Sequence, residues 1–270
     1  MNQPTANIHP NAKIGKGVTI EPFATIDDNV EIGEGTWIGP NVVIMNGSRI
    51  GKNCRIYPGA VIGSIPQDLK FDGENTLAVI GDNTTVREYV TVNRGTKANN
   101  QTTVGSNCLL MAYVHVAHDC IIHNNCILAN GVTLAGHIEI FDYAIIGGLS
   151  AVHQFVKIGA HVIISGGSLV NKDVPPFTKA ARDPLSYAGI NSIGLRRRGF
   201  EPETVNRIQE YYRVIYQSGM NNTQAIENVT QQFPASPERD EIIAFITQSE
   251  RGIMRGYTNT KNENRLREYL

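Results

Sequence analysis

Aliphatic side chains recur at every sixth position through most of the chain between Ile8 and Val170. The run extends from Ile8 to Ile62, resumes in phase from Ile80 to Val92, and continues from Val104 to Val170; all 25 of its positions are Ile, Val or Leu. An amphipathic helix repeats its apolar positions about every 3.6 residues and a strand about every second residue, so neither explains this period. A parallel β-helix does, because each hexad supplies one short strand and one corner, and stacked coils share a continuous apolar core.

The other positions of the hexad agree with this fold. The third residue after each aliphatic is the expected corner, and 14 of the 25 such residues are Gly or Asn, the types that adopt a positive φ most readily. The four cysteines all occupy the fourth position: Cys54, Cys108, Cys120 and Cys126. We expect them to point into the coil as small apolar side chains, which excludes Cys120 from any metal site.

Composition narrows the class of protein. The formal net charge is −1, which gives no reason to expect nucleic-acid binding. No stretch approaches the roughly 18 consecutive apolar residues of a membrane span, and the first residues lack the basic start and apolar run of a secretion signal. A cytoplasmic protein without a membrane span is therefore predicted.

The hexads resemble the repeats of the hexapeptide-repeat acyltransferases, whose fold is a left-handed parallel β-helix. The resemblance implies about 18 residues in each triangular coil, left-handed crossovers against the usual rule, and a trimer. We predict the β-helix over residues 1–180, a helical domain over 181–256 and a polar tail over 257–270. Within the helical domain, apolar spacing predicts helices over 202–217 and 237–249.

Two segments leave the hexad pattern, at about 63–79 and at 96–103. Both are polar, and the first contains proline, glycine and charged residues. Loops held on a rigid scaffold are common places for binding residues. We therefore expect these two excursions to lie beside a functional site.

Titratable residues gather on one edge when positions one coil apart are stacked. His118, Gly136 and Gln154 then align in one column, and Asp119 and His137 in the next. A histidine is the usual general base near neutral pH, and an adjacent carboxylate can fix its tautomer. A backbone N–H at a glycine corner can stabilise an oxyanion. His118, Asp119 and Gly136 are therefore candidates for acyl-transfer chemistry.

Two other interpretations compete with this one. Histidine and aspartate tolerate corners, so a non-catalytic solenoid could carry them without chemistry. His118 and His123 also have the five-residue spacing of two zinc ligands in the γ-class carbonic anhydrases, which are themselves left-handed β-helices. The region around Asp82, where a third histidine would be required, has none, so no metal and no cofactor are predicted.

Six longer stretches indicate one family within this class: PQDLKF (66–71), IGDNTTVREYVTVNRGT (80–96), HVAHDC (115–120), CILANGVTLAGH (126–137), IIGGLSAVHQFVKIGAHVIISGG (145–167) and NSIGLRRRGF (191–200). They are similar to those of the UDP-N-acetylglucosamine O-acyltransferase family. The resemblance implies transfer of a 3-hydroxyacyl chain from acyl carrier protein to the 3-position of UDP-N-acetylglucosamine, the first step of lipid A synthesis. It also implies a homotrimer with sites between neighbouring subunits. The alternatives are another hexapeptide acyltransferase with a nucleotide-sugar acceptor and a zinc lyase.

Taken position by position, the resemblance assigns roles to individual residues. His118 is the general base, Asp119 its partner and the Gly136 backbone the oxyanion donor. Gly166 corresponds to an acyl-chain ruler, whose missing side chain implies room for a longer chain. Ile193 departs from the family, which often has an acidic residue there, so one nucleotide hydrogen bond is expected to be absent or supplied differently. The sugar and the acyl donor are held by Asp68, Lys70, His115, His137, His153 and Gln154, and the nucleotide by Asn191, Arg197 and Arg198.

Overall fold

The chain winds into a coil with three flat faces, which is followed by helices. A computed structural model describes residues 5–256, and the predicted tail at 257–270 lies outside the described residues. Each hexad contributes a short strand, and successive coils stack these strands in parallel into three sheets. The left-handed parallel β-helix predicted from the hexads is confirmed.

The strands are assigned to sheets in regular rotation. Sheet I contains β1 (Asn7–Ile8), β4 (Thr25–Ile26), β7 (Val43–Ile44), β10 (Val61–Ser64), β13 (Thr91–Asn93), β16 (His115–Val116), β19 (Thr133–Leu134), β22 (Ala151–Val152) and β25 (Leu169–Val170). Sheet II contains β2 (Lys13–Ile14), β5 (Glu31–Ile32), β8 (Ser48–Ile50), β11 (Leu77–Ile80), β14 (Gln101–Val104), β17 (Ile121–Ile122), β20 (Glu139–Ile140) and β23 (Lys157–Ile158).

Sheet III contains β3 (Thr19–Ile20), β6 (Trp37–Ile38), β9 (Arg55–Ile56), β12 (Thr85–Val86), β15 (Leu109–Leu110), β18 (Ile127–Leu128), β21 (Ile145–Ile146), β24 (Ile163–Ile164), β26 (Thr178–Ala181) and β27 (Ser186–Ile190). The last strand is antiparallel to its neighbour. Edge I/II is the line of corners where the chain passes from sheet I to sheet II, and edges II/III and III/I are defined in the same way.

Strand register shows where the two excursions lie. Strand partners in a regular coil are three hexads apart along the chain, as Thr25 and Val43 are. Val61 pairs with Thr91, five hexads further on, and Thr91 pairs with His115, four hexads further on. The first excursion therefore lengthens its coil by two hexads and the second by one. Both leave sheet I and return to sheet II, so they lie on edge I/II.

Burial and backbone geometry explain why the hexads form coils. Of the 25 periodic aliphatics, 23 are buried; Ile8 and Ile14, in the first coil, are partly exposed. The four cysteines are buried, as predicted, and they are free thiols. Burial raises the pKa of the Cys120 thiol to about 12. The predicted corners have a positive φ at every position except Asn11, Ile65, Gly95 and Asp173.

Helices follow the coil, and they begin later than residue 181 because β26 and β27 first extend sheet III. The helices are α1 (Ser192–Arg197), α2 (Pro202–Gln217), α3 (Asn222–Gln232) and α4 (Pro237–Thr247). The predicted helix over 202–217 is confirmed, and that over 237–249 ends two residues early. Helix α3 was not predicted, although Asn221 and Gln224 form a capping box at its start.

The helices pack against the C-terminal end of the coil. Tyr212 of α2 is fully buried and donates its hydroxyl hydrogen bond to the Pro176 carbonyl at 2.6 Å. Tyr187 of β27 stacks on Tyr216 of α2 at 4.5 Å between ring centroids. None of the helices within residues 5–256 combines the length and the apolar character that crossing a membrane requires.

Candidate active site

The predicted catalytic residues lie on edge I/II: His118 and Asp119 follow β16, and Gly136 follows β19, one coil above. Asp119 occupies the corner with φ of +60°, a conformation that Asp, Asn and Gly adopt with least strain. His137 occupies the corresponding corner one coil above and Phe155 the next, with φ of 59° and 66°. The stacking predicted from the period is therefore present, because each corner repeats the same backbone turn.

His118 and Asp119 form a buried pair. His118 Nδ1 lies 2.8 Å from Asp119 Oδ2, and the two residues are 8% and 1% exposed. Burial opposes ionisation of the carboxyl, but hydrogen bonds from His118 and Thr96 outweigh it and hold the pKa of Asp119 below its ordinary value. An ionised Asp119 accepts the Nδ1 proton of neutral His118, which leaves Nε2 as a proton acceptor.

Gly136 lies directly against the imidazole ring of His118. A Cβ atom at Gly136 would be 2.6 Å from His118 Cε1 and 2.8 Å from Nε2, so no side chain fits there without moving the ring. Its carbonyl accepts a hydrogen bond from Phe155 N–H at 3.2 Å. Within residues 5–256, its N–H has no hydrogen-bond acceptor. A free N–H thus lies beside a candidate general base.

Two further histidines border the pair. His137 Nε2 lies 3.7 Å from Asp119 Oδ2, and its ring meets that of His118 edge-on at 5.1 Å. Burial lowers the pKa of His137, and the charge of Asp119 only partly offsets this. His115 projects from sheet I, where its Nδ1 lies 2.7 Å from Thr91 Oγ1, and burial lowers its pKa too.

The first excursion brings its charged residues towards the same edge. Asp68 accepts a hydrogen bond from the Lys70 backbone N–H at 3.0 Å. Burial and the charges of Asp119 and His118 have the larger effects on the pKa of His137, and the charge of Asp68 raises it slightly. Lys70 is exposed. The Arg94 guanidinium lies over the ring of Phe71 at 5.3 Å and so holds the excursion against the coil.

Two coils above His118, the other predicted sugar contacts lie on this edge. His153 is exposed, and its Nδ1 lies 3.0 Å from the Gln154 carbonyl oxygen. Gln154 is partly buried. Both follow β22 on edge I/II, and Gln154 is in the same column as His118.

The predicted nucleotide contacts lie on a different edge, II/III. The Asn191 amide donates to the His161 carbonyl at 2.8 Å, and its Oδ1 accepts from Gly194 N–H at the start of α1. Arg198 donates to the Tyr143 carbonyl at 3.1 Å and lies over the Tyr143 ring. Arg197 and Ile193 are exposed. Gly166, the predicted ruler, lies on the third edge, III/I, where a Cβ atom would have Gly148 O as its nearest neighbour.

One cluster on edge I/II has the composition of a metal site. Ligand atoms of His118, Asp119 and His137 all lie within 4.8 Å of one another. However, Asp119 also accepts hydrogen bonds from the Thr96 hydroxyl and backbone N–H and from Asn99 N–H. These donors occupy the lone pairs with which the carboxylate would bind a cation.

Sequence reasoning missed Thr96. It lies in the second excursion, outside the hexad phase, so the column argument that found Asp119 could not place it. Two signals were available: the expectation that the excursion lies beside a site, and the family-like stretch 80–96, which ends at Thr96.

Matches to known families define the class of this protein. Residues 29–64 and 101–136 match the family described as bacterial transferase hexapeptide (six repeats), and residues 173–254 match UDP-N-acetylglucosamine O-acyltransferase, domain 2. Together with the fold, the repeats define a hexapeptide-repeat transferase.

Relatives that span most of the chain identify the family. An acyl-(acyl-carrier-protein)–UDP-N-acetylglucosamine O-acyltransferase of Alkalilimnicola ehrlichii is 50% identical over 253 residues, which is 93% of this chain and 98% of that protein. One from Stenotrophomonas maltophilia is 44% identical over 198 residues, 73% of this chain and 75% of the relative. A crystal structure of a UDP-N-acetylglucosamine acyltransferase from Bacteroides fragilis, 54% identical, covers 94% of this chain and 100% of its own, with a TM-score of 0.94. The chain belongs to the UDP-N-acetylglucosamine O-acyltransferase family.

Proposed function

We propose that this protein, an acyltransferase of that family, transfers a 3-hydroxyacyl chain from acyl carrier protein to the 3-hydroxyl of UDP-N-acetylglucosamine. The observation that carries the proposal is the geometry on edge I/II. A histidine paired with a buried carboxylate lies against a backbone N–H without a protein acceptor among the described residues. Acyl transfer requires a base for the attacking hydroxyl and a donor for the oxyanion.

The reaction follows from the positions of these groups. His118 Nε2 removes the proton of the sugar hydroxyl as its oxygen attacks the thioester carbonyl. Asp119 stabilises the imidazolium that forms, and Gly136 N–H donates to the oxyanion. When the tetrahedral intermediate collapses, the carbon–sulfur bond breaks and His118 returns the proton to the leaving thiolate.

The predicted binding residues have chemistry suited to the substrates. Asp68, Lys70, His115, His137, His153 and Gln154 offer charges and hydrogen-bonding groups on edge I/II or beside it for the sugar and the acyl donor. Asn191, Arg197 and Arg198 offer an amide and two guanidinium groups for the uridine diphosphate, which suits diphosphate recognition. Ile193 has no polar group to add.

A homotrimer reconciles these groups, because one chain carries them on three separate edges. A face of six extended residues is roughly 15 to 20 Å wide, so edges II/III and III/I lie well away from His118 of the same chain. A second copy that packs against edge I/II would supply the nucleotide contacts and the ruler. Head-to-tail contacts of this kind close into a ring when the rotation between copies closes, as it does in a trimer.

Exposed apolar residues support the same assembly. Phe23, Tyr89, Tyr113 and Leu149 are all exposed corners on edge III/I. Tyr89 and Tyr113 stack on each other at 5.3 Å between centroids. Such a ridge is unfavourable in water and is buried when a neighbouring subunit covers it.

The proposed reaction also implies a pathway and a cellular compartment for the enzyme. Acylation of this nucleotide sugar is the first step of lipid A synthesis, and acyl carrier protein places the reaction in the cytoplasm. Gly166 leaves room at edge III/I for a long acyl chain. No cofactor enters the proposed chemistry.

The zinc-lyase alternative makes a different prediction from the same cluster. It requires bound zinc and activity that a chelator removes, whereas the proposed acyl transfer requires neither. The hydrogen bonds on Asp119 favour acyl transfer. Elemental analysis of the purified protein together with a chelator-treated assay separates the two.

The test of the function is turnover with defined substrates. Purified enzyme is given 3-hydroxyacyl carrier protein and UDP-N-acetylglucosamine, and the product is identified by mass spectrometry. We expect His118→Ala to lose roughly 10²- to 10⁴-fold in kcat while keeping its fold and assembly. His123→Ala is the matched control, because His123 lies in the same coil but pairs with Glu139 on sheet II. A folded His118→Ala enzyme with more than a few per cent of wild-type turnover would refute the assignment.

A further inference from the structure

The second excursion folds over the carboxylate of Asp119. Thr96 donates to this group twice: its backbone N–H lies 2.9 Å from Oδ1 and its hydroxyl 2.7 Å from Oδ2. Asn99 N–H lies 3.3 Å from Oδ1. Thr96 is 7% exposed and Asp119 1%. Bulk water therefore does not compete for these hydrogen bonds.

A neighbouring backbone group fixes the direction of the Thr96 hydroxyl. Thr96 Oγ1 accepts a hydrogen bond from Ala98 N–H at 3.2 Å. An ionised carboxylate has no hydrogen to donate. The single hydroxyl hydrogen of Thr96 therefore points to Asp119 Oδ2, and Thr96 is the donor in this contact.

The same carboxylate oxygen also serves His118. Asp119 Oδ2 lies 2.7 Å from Thr96 Oγ1 and 2.8 Å from His118 Nδ1. A donated hydrogen bond stabilises the negative charge on the carboxylate and so weakens its attraction for a second donor. The Thr96 hydroxyl thus limits how strongly Asp119 stabilises a protonated His118.

We propose that Thr96 is a positioning residue that sets the proton affinity of the His118 ring through the oxygen of Asp119 that both residues share. This inference rests on the proposed role of His118 as general base. Without the hydroxyl, Asp119 holds the imidazolium more tightly, and less of the enzyme carries an unprotonated base at neutral pH. The two backbone N–H groups from Thr96 and Asn99 meanwhile keep the carboxylate ionised and in place. The second excursion therefore has a defined task in the reaction.

A pair of substitutions isolates the hydroxyl. Thr96→Val removes it at nearly constant volume, and Thr96→Ser keeps it. NMR of enzyme with isotope-labelled histidine, without substrates, gives the titration midpoint of the His118 ring; the signal is assigned by its loss in His118→Ala. For Thr96→Val we expect the midpoint to rise by roughly half to one pH unit. The acid limb of the kcat/KM profile should shift by the same amount, whereas Thr96→Ser should match wild type.

Thr102→Val is the matched control for lost stability. Thr102 is buried in the same segment, and its hydroxyl accepts from the Asp119 backbone N–H at 2.8 Å without contact to the carboxylate. This variant should lower the melting temperature and leave the His118 midpoint unchanged. A purely structural role for Thr96 predicts instead that both valine variants lower turnover equally at every pH.

Two outcomes overturn the proposal: a Thr96→Val midpoint equal to that of wild type, or an equal rise in Thr102→Val. If Thr96→Val does not fold, as judged by thermal melting, Thr96→Ala is titrated in its place. The NMR titration does not depend on turnover. A wild-type enzyme that is inactive with acyl carrier protein would therefore refute the proposed function, while the titration still decides the role of Thr96.

Discussion

Gly136 and His118 are in such close contact that the absent Cβ of the glycine would lie 2.6 Å from Cε1 of the imidazole ring. Glycine is required here by the ring beside it. Gly136 does not have the positive φ found at neighbouring corners, so its backbone would accept another residue. The contact fixes the distance between the proposed oxyanion donor and the proposed base.

Gly136→Ala tests this contact. The added methyl group must displace the His118 ring, while the backbone remains unstrained. We expect kcat to fall by roughly 10²-fold or more, with a melting temperature close to that of wild type. Steady-state kinetics and thermal melting measure the two effects. An alanine variant with wild-type kcat would show that the position of the ring is unimportant.

Asp119→Asn tests the charge of the pair. Asparagine tolerates the left-handed corner, but it removes the charge that stabilises the imidazolium, and we expect kcat to fall roughly 10³- to 10⁴-fold. The new amide also turns N–H groups towards the donors of Thr96, which costs about 1 to 3 kcal/mol of folding free energy. Denaturant unfolding at fixed protein concentration measures this cost. Full activity would refute an electrostatic role for Asp119.

Gly166→Leu tests the ruler. Gly166 has no positive φ, and the nearest atom that a Cβ would meet is Gly148 O, at 3.1 Å. A side chain therefore fits with a small shift and projects from edge III/I. We expect the variant to prefer shorter acyl chains, as measured by mass spectrometry of products from a mixed pool of acyl carrier proteins. Its turnover with the shortest chain serves as the internal control, and an unchanged product distribution would contradict the assignment.

The buried imidazole of His161 predicts that the stability of the fold depends on pH. Burial, assisted by the charge of Arg198, lowers its pKa from 6.5 to about 4. Between these values the unfolded chain binds a proton that the folded protein does not, so stability is lost as pH falls. We expect a loss of about 1 to 3 kcal/mol per chain between neutral pH and pH of about 4.5.

The control for this prediction is His161→Phe. Phenylalanine can stack between Tyr143 and Phe177 as the imidazole does, and Phe155 and Phe177 show that corners with positive φ accept it. The variant should unfold with a weaker pH dependence over that range, as measured by denaturant titrations. An identical pH dependence would assign the effect to other groups.

The hexads predicted the coil because each position of the repeat has one structural role. Ile20 and its equivalents fill the core, and corners such as Asn53 need a positive φ, so period alone located both. The same phase brought Asp119 and His137 to one edge. The resemblance to a known family then supplied the chemistry, which the period does not contain.

Other features depend on contacts between segments that have no common period. Thr96 reaches Asp119 from an excursion 23 residues away, and Asn191 turns its amide to the His161 carbonyl across 30 residues. The antiparallel strand β27 also lies in a segment assigned to helices. Each of these depends on tertiary packing. The capping box at Asn221 is different, because its residues can be recognised in the sequence, yet no helix was predicted there.

The corner at Asp119 restricts how this enzyme can change during evolution. With φ of +60°, the position favours Asp, Asn or Gly. Other corners of the coil carry His, Tyr, Phe or Leu at a positive φ, but of all these residue types only Asp is a carboxylate, so the substitutions that the backbone accepts all remove it. Glutamate would keep the charge but add strain and move the oxygens. If Asp119 has the proposed role, we therefore expect mutation at this codon to remove most of the activity instead of adjusting it, so gradual adaptation to a different pH would come from the residues that surround the carboxylate.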